Sequence, residues 1–225
     1  MLVDNYFAPS IPKSLDLVLK EFPQEPNFDG RIGNRSFNSV MLSKVQFVCD
    51  SIEANWGEVI IYSDCDVQFF GCPISQIKSS LDKKDIVFQQ DSPRNDLCAG
   101  FFAMHCNEST MKLWKKVRGV LQVNLDTHDQ AVLNSMIFWS TRLSRLLGRF
   151  GIHLRGPLSF LKYGLLPDSF FTPGRYTGNV WTPGMDIDLP DSILVHHANW
   201  TVGTANKVAQ LEYVKSKVMS KSIDR

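Results

Sequence analysis

Along this chain, short apolar runs alternate with longer segments in which apolar residues recur every three to four positions. The recurrence at Val40, Met41, Val45, Phe47, Val48 and Ile52 predicts a long helix from Arg35 to Asn55, with Gly57 as its stop signal. The same period predicts helices from Ser109 to Leu121, with Met111, Trp114 and Val117 on one side, from Asp129 to Leu147, and from Thr204 to Lys217. A shorter helix is expected from Ser14 to Glu21, between the prolines at 9 and 12 and those at 23 and 26. The brief apolar runs Glu58 to Tyr62, Asp85 to Gln89, Ala99 to His105 and Ser192 to His196 predict strands. Asn27 to Gly30 reads as a loop, and the Pro-, Gly- and aromatic-rich stretch from Phe170 to Pro190 as a long ordered one. Helices alternating with short strands predict an α/β fold, an open sheet flanked by helices. Ligands in such sheets lie beyond the carboxyl ends of the strands.

Composition narrows this picture. A chain of 225 residues that is 44% hydrophobic can build a sizeable core, and a single domain over 1–225 is the expectation. A formal net charge of +1 gives no electrostatic case for nucleic acid as a partner. No apolar stretch reaches spanning length, and Met1 to Asn5 lacks the basic and apolar regions of a leader, so a soluble cytoplasmic protein is expected. The five cysteines are odd in number and lack C-x-x-C spacing, which points to free thiols rather than disulfides or zinc.

The strand signal from Val59 to Ser63 runs into Asp64-Cys65-Asp66. In extended chain, residues two apart face the same side, so both carboxylates can converge on one hard cation at the mouth of a sheet. At ~4 Å two such charges repel by about 4 kcal/mol at an effective dielectric near 20. A divalent ion relieves that repulsion and leaves coordination sites for a diphosphate. The plainer reading is a strand-to-turn junction where Asp is a good turn former. Two families end a strand in D-x-D: the haloacid-dehalogenase-type phosphatases, whose first Asp is a nucleophile and second a general acid/base, and the GT-A glycosyltransferases, whose pair holds Mn²⁺ or Mg²⁺ against a nucleotide diphosphate.

Further residues, in order, resemble the second family, the nucleotide-diphospho-sugar transferases of GT-A type, which include plant cell-wall xylosyl- and arabinosyltransferases and, more distantly, glycogenin-like enzymes. Val3-Asp4-Asn5-Tyr6 is similar to the first-strand segment that holds base and ribose, and Lys44 to a basic residue directed at the donor. Ser63-Asp64-Cys65-Asp66-Val67 matches S-D-x-D-V, and Ala99-Gly100-Phe101-Phe102 resembles the segment lining the donor sugar. Asp129-Gln130 matches a D-Q pair at a helix start. His197-Ala198-Asn199-Trp200, with Gly203 and Lys207, resembles a closing H-x-N-W…G…K segment. Cys98 stands where relatives place Asn.

The resemblance implies a GT-A fold, a Rossmann-like open mixed sheet flanked by helices. It implies transfer of a sugar from a nucleotide diphosphate, UDP by expectation, to a glycan or other hydroxyl acceptor with retention of configuration. Asp64, Asp66 and His197 would hold Mn²⁺ or Mg²⁺. Asp4, Asn5, Tyr6, Lys44, Ser63, Cys65, Ala99, Gly100, Gly203 and Lys207 would meet the donor. Asp129 and Gln130 would serve the transfer, the Gln130 amide oxygen facing the anomeric carbon. Strand alternation sends His196 and His197 to opposite faces, and the family pattern selects His197. The alternatives are a phosphatase using Asp64 and Asp66, with Asp186 or Asp188 as its later acid, or a nucleotide-sugar-binding module without turnover. Arg142, Arg145, Arg149, Arg155 and Lys162, interleaved with leucines, read as a packed helix with a solvated basic side, or as a face for a membrane surface or an anionic acceptor. Phe170, Phe171, Tyr176 and Trp181 read either as loop packing or as a stacking surface for a glycan.

Overall fold

The computed structural model describes residues 1–22, 35–124, 126–138, 158 and 160–223. The basic residues at 142, 145, 149 and 155, the loop at 27–30 and the predicted helix beyond Phe138 lie outside them.

The chain opens with a helical turn at Val3–Phe7, followed by α1 (Ala8–Ser10). After α2 (Arg35–Ala54) come β1 (Val59–Ser63), β2 (Val67–Phe69), α3 (Ile74–Leu81), β3 (Ile86–Gln90) and β4 (Leu97–His105). The helices α4 (Glu108–Val123) and α5 (Asp129–Phe138) follow, then β5 (Tyr163–Leu165), β6 (Phe170–Phe171), α6 (Pro173–Thr177), β7 (Val195–His197) and α7 (Thr204–Ile223).

These strands form two sheets rather than one. The larger has the order β1-β4-β3-β5, with β4 antiparallel to both neighbours and β3 parallel to β5. The smaller has the order β2-β7-β6, antiparallel then parallel. The expected mixed α/β architecture is present, and the chain passes between the two sheets within Asp64-Cys65-Asp66, from the end of β1 to the start of β2.

One core forms where the predicted apolar stripe of α2 (Val45, Val48, Ile52) meets α4 (Leu113, Trp114, Val117) and Phe102 of the larger sheet. A second core joins Phe69 and Val195 of the smaller sheet to Phe101, Phe170, Ile77 and Phe7. α4 begins in a capping box: Asn107 Oδ1 accepts from Thr110 N at 3.0 Å, and Thr110 Oγ1 accepts from Asn107 N at 3.1 Å. Among the described residues no helix is long and apolar enough to cross a membrane.

Three local expectations change. Ser14 to Glu21 is not helical. Leu15, Val18 and Leu19 would share one face of a helix, but only Leu15 packs against the core, and Leu17, Val18 and Leu19 are exposed. Val3–Phe7 is helical rather than a strand, which seats Phe7 in the core against Phe69, with ring centroids 6.3 Å apart. The stretch after Phe170 contains β6 and α6, and Phe170, Phe171 and Trp181 are buried core residues; of the four aromatics proposed for glycan stacking, only Tyr176 is exposed. β2 and β5 escaped prediction because three-residue strands are too short to show a period.

Candidate active site

Three strand ends converge on one point. Asp64 follows β1, and its backbone N–H donates to the Gly100 carbonyl on β4 at 2.7 Å. Asp66 precedes β2, and its carbonyl accepts from Ala198 N, just past β7, at 2.9 Å. His197 ends β7, opposite Val67. Ligand atoms of Asp64, Asp66 and His197 all lie within 4.8 Å of one another. Adjacent histidines do separate: His196 is fully buried against the Phe171 ring, 5.5 Å away, while His197 turns to the carboxylates. Burial, and then the neighbouring His197, push the His196 pKa down to about 3, so that ring is neutral.

Gly100 forms the floor of this point. A Cβ there would stand 2.4 Å from His197 Cε1 and 2.7 Å from Asp64 Oδ2, so only glycine lets both side chains close over β4. Asp66 Oδ1 lies 3.2 Å from His197 Nε2, and its Oδ2 accepts from Lys207 Nζ at 2.5 Å. Burial disfavours the Asp66 charge, but His197 and Lys207 outweigh it and hold the carboxyl far below the usual range. Two carboxylates and an imidazole suit a hard or borderline dication, and the glycine floor leaves them room to share one.

A second charge cluster adjoins the first. Buried Lys44, from α2, places Nζ 2.9 Å from Asp129 Oδ2 and 3.3 Å from Asp64 Oδ1. The Tyr62 hydroxyl donates to Asp64 Oδ1 at 2.9 Å. Burial raises the Asp129 pKa, but Lys44 more than offsets this and brings it down to about 2. Lys44 is held well above its ordinary value, burial opposing and the two aspartates prevailing.

These residues border a cavity of about 2140 Å³ that runs from the strand ends along β1 and α2 to the N-terminal segment. The sequence-profile comparison fits this arrangement: the profile of the nucleotide-diphospho-sugar transferases matches residues 16–211. The chain belongs to that family. No curated protein and no solved structure gives a significant match. Family membership carries a sugar-transfer function with a nucleotide-sugar donor and a glycan acceptor.

Set against the transferase expectations, the structure gathers Lys44, Asp64, Asp66, Ala99, Gly100, Asp129, Gln130, His197 and Lys207 around one end of the cavity. The Ser63 hydroxyl donates to the Asp64 carbonyl at 2.9 Å, and Cys65 is exposed. Gly203, with φ +84°, turns the chain into α7, and its carbonyl accepts from Lys207 N. Asp4 borders the cavity with an exposed carboxylate paired to the Met1 amine at 3.0 Å. Asn5 and Tyr6 are not brought to its wall, and the Tyr6 hydroxyl turns to Glu212 on α7. The Gln130 amide is engaged at both ends: Oε1 accepts from Ala99 N at 3.1 Å, and Nε2 donates to Asp91 Oδ2 at 2.9 Å. Cys98 is buried, with Sγ 3.4 Å from His197 Nδ1.

Asp91 went unnoticed in the sequence. It follows β3 and accepts from Asn199 Nδ2 at 2.7 Å, Trp200 Nε1 at 3.0 Å and Gln130 Nε2 at 2.9 Å. Burial pushes its pKa up against those three donors. Its position just past the carboxyl end of a strand was the available signal. Trp200, at φ +52°, packs against Gly174, where a Cβ would stand 2.3 Å from its Cδ1. For the phosphatase alternative, Asp186 is instead engaged at the surface by Tyr213 and Lys217, and no further acid joins Asp64 and Asp66 among the described residues.

Proposed function

We propose that this chain is a metal-dependent glycosyltransferase that moves a sugar from a nucleotide diphosphate, UDP in the first instance, to a glycan hydroxyl with retention of configuration. The observation that carries the reading is the convergence of Asp64, Asp66 and His197 over Gly100, with Lys207 reaching in from the start of α7. Those three residues would hold Mn²⁺ or Mg²⁺, which when bound supplies positive charge against the diphosphate leaving group.

The chain's own groups supply the rest. Lys207 is a second positive charge on the departing diphosphate, and the N-terminus of α7 adds backbone N–H donors. Ala99 and Gly100 line the donor sugar. Asp129 holds Lys44 in place, and Gln130 ties Ala99 to Asp91 while its amide keeps one N–H and one oxygen lone pair for the sugar. Retention agrees with the state of the pocket carboxylates: Asp129 is paired with Lys44 and Asp91 with three donors, so neither is poised as a general base. The acceptor proton then passes to the leaving phosphate oxygen.

A thermal-shift series of nucleotide sugars with and without Mn²⁺ tests class and donor together. A stabilisation by UDP-sugars that requires Mn²⁺, and that Asp66→Ala abolishes, is expected; an equal shift in wild type and Asp66→Ala would refute the assignment. Release of UDP from the donor in the presence of Mn²⁺ separates a transferase from a binding module without turnover.

A further inference from the structure

An imidazole that binds a metal needs a lone pair on the nitrogen facing the ion and a proton on the other. Behind the His197 ring, Nδ1 lies 3.2 Å from Gln89 Oε1 and 3.4 Å from Cys98 Sγ. Gln89 sits on β3 and is fully buried. Its second contact settles which way its amide points. Nε2 donates to the Phe171 carbonyl at 3.1 Å, and a carbonyl can only accept, so the amide nitrogen belongs on that side. The amide oxygen therefore faces His197, and it too can only accept. The proton between them must sit on Nδ1. Cys98 Sγ, which accepts from Gly100 N at 3.4 Å, lies beside the same N–H as a second, weaker acceptor.

We propose that Gln89 is a positioning residue that keeps His197 Nδ1 protonated and turned inward, so that Nε2 is the ring nitrogen offered to Asp64 and Asp66. This rests on the reading of those three residues as a dication site and adds the group that orients one of them. One buried amide thereby ties β3 of the larger sheet to β6 and β7 of the smaller, and the ring cannot rotate without breaking that tie. The orientation holds whether or not Nε2 carries a proton, because the Gln89 bond uses only Nδ1.

The test combines Mn²⁺ titration with ¹⁵N–¹H correlation spectra of the His197 ring, recorded without metal and with diamagnetic Mg²⁺. In the wild type, a proton on Nδ1 is expected in both states. Gln89→Leu is expected to weaken Mn²⁺ binding by roughly 10–100-fold. Gln89→Glu, read with its carboxyl protonated so that the hydroxyl donates to the Phe171 carbonyl in place of Nε2, keeps an acceptor opposite Nδ1 and is expected to restore affinity to within a few-fold, even if the leucine variant does not fold. An Nδ1 without its proton would overturn the proposal, as would a folded Gln89→Leu protein with wild-type affinity, or a folded Gln89→Glu protein as weak as the leucine variant. A wild-type protein that binds neither ion yet keeps the Nδ1 proton would remove the dication site and leave the Gln89–His197 bond standing.

Discussion

Lys207 Nζ lies 2.5 Å from Asp66 Oδ2, joining the first turns of α7 to the strand junction 141 residues earlier. An ammonium at that distance occupies charge space that a dication would also claim. Lys207 thus has two opposed effects on the proposed site. It competes with the metal for Asp66, and it attracts the diphosphate. Lys207→Met is expected to tighten binding of Mn²⁺ alone by roughly tenfold, about 1.4 kcal/mol, and to weaken Mn²⁺-dependent UDP binding by a similar factor. Calorimetry with each ligand reads the two signs; a parallel change in both would contradict the dual role.

Gly100 offers a test that leaves every ligand in place. In Gly100→Ala the new methyl would overlap His197 Cε1 and Asp64 Oδ2, and the Asp64 N–H bond to the Gly100 carbonyl restrains the backbone from yielding. Overpacking of this kind costs about 1–3 kcal/mol. Urea unfolding should show a loss of that size, with Mn²⁺ affinity down at least roughly tenfold. Wild-type metal affinity in the alanine variant would show that the two side chains need not close over β4.

The Lys44–Asp129 pair predicts a pH dependence of stability. Asp129 has a folded pKa of about 2 against an ordinary value of 3.8, so its contribution is fully present above about pH 4 and is lost as pH falls toward 2. The difference corresponds to about 2 kcal/mol. Unfolding free energy measured from pH 5 to pH 2 should fall less steeply in Asp129→Asn than in the wild type by that amount. Parallel curves would mean that the pair carries no such linkage.

Asp91 binds three donors from two segments of chain, Gln130 on α5 and the pair Asn199 and Trp200 beyond β7. Asp91→Ala leaves these three half-buried donors without their acceptor, and each costs up to about 1–3 kcal/mol where water does not take the carboxylate's place. A loss of about 1–3 kcal/mol in stability is expected, together with a change in Trp200 fluorescence, because the indole N–H is one of the three. A variant as stable as the wild type would show that water replaces the carboxylate.

Much of this protein was legible in its sequence because the relevant signals are local. The period of α2, the apolar run of β1 and the two aspartates after it lie within neighbouring residues, and backbone geometry alone places both carboxylates at a strand end. Alternation alone also sends His196 and His197 to opposite sides. What local pattern does not contain is which distant groups meet. The split into two sheets, the engagement of Gln130 by Asp91 across 39 residues and the contact of Gln89 with His197 across 108 depend on pairings between segments far apart in the chain. Asp129 and Gln130 read as free polar groups for a sugar until packing brought Lys44, Ala99 and Asp91 against them. Burial then set the Asp129 charge and took part of the hydrogen-bonding capacity of both, and desolvation and partner geometry exist only once the chain has folded.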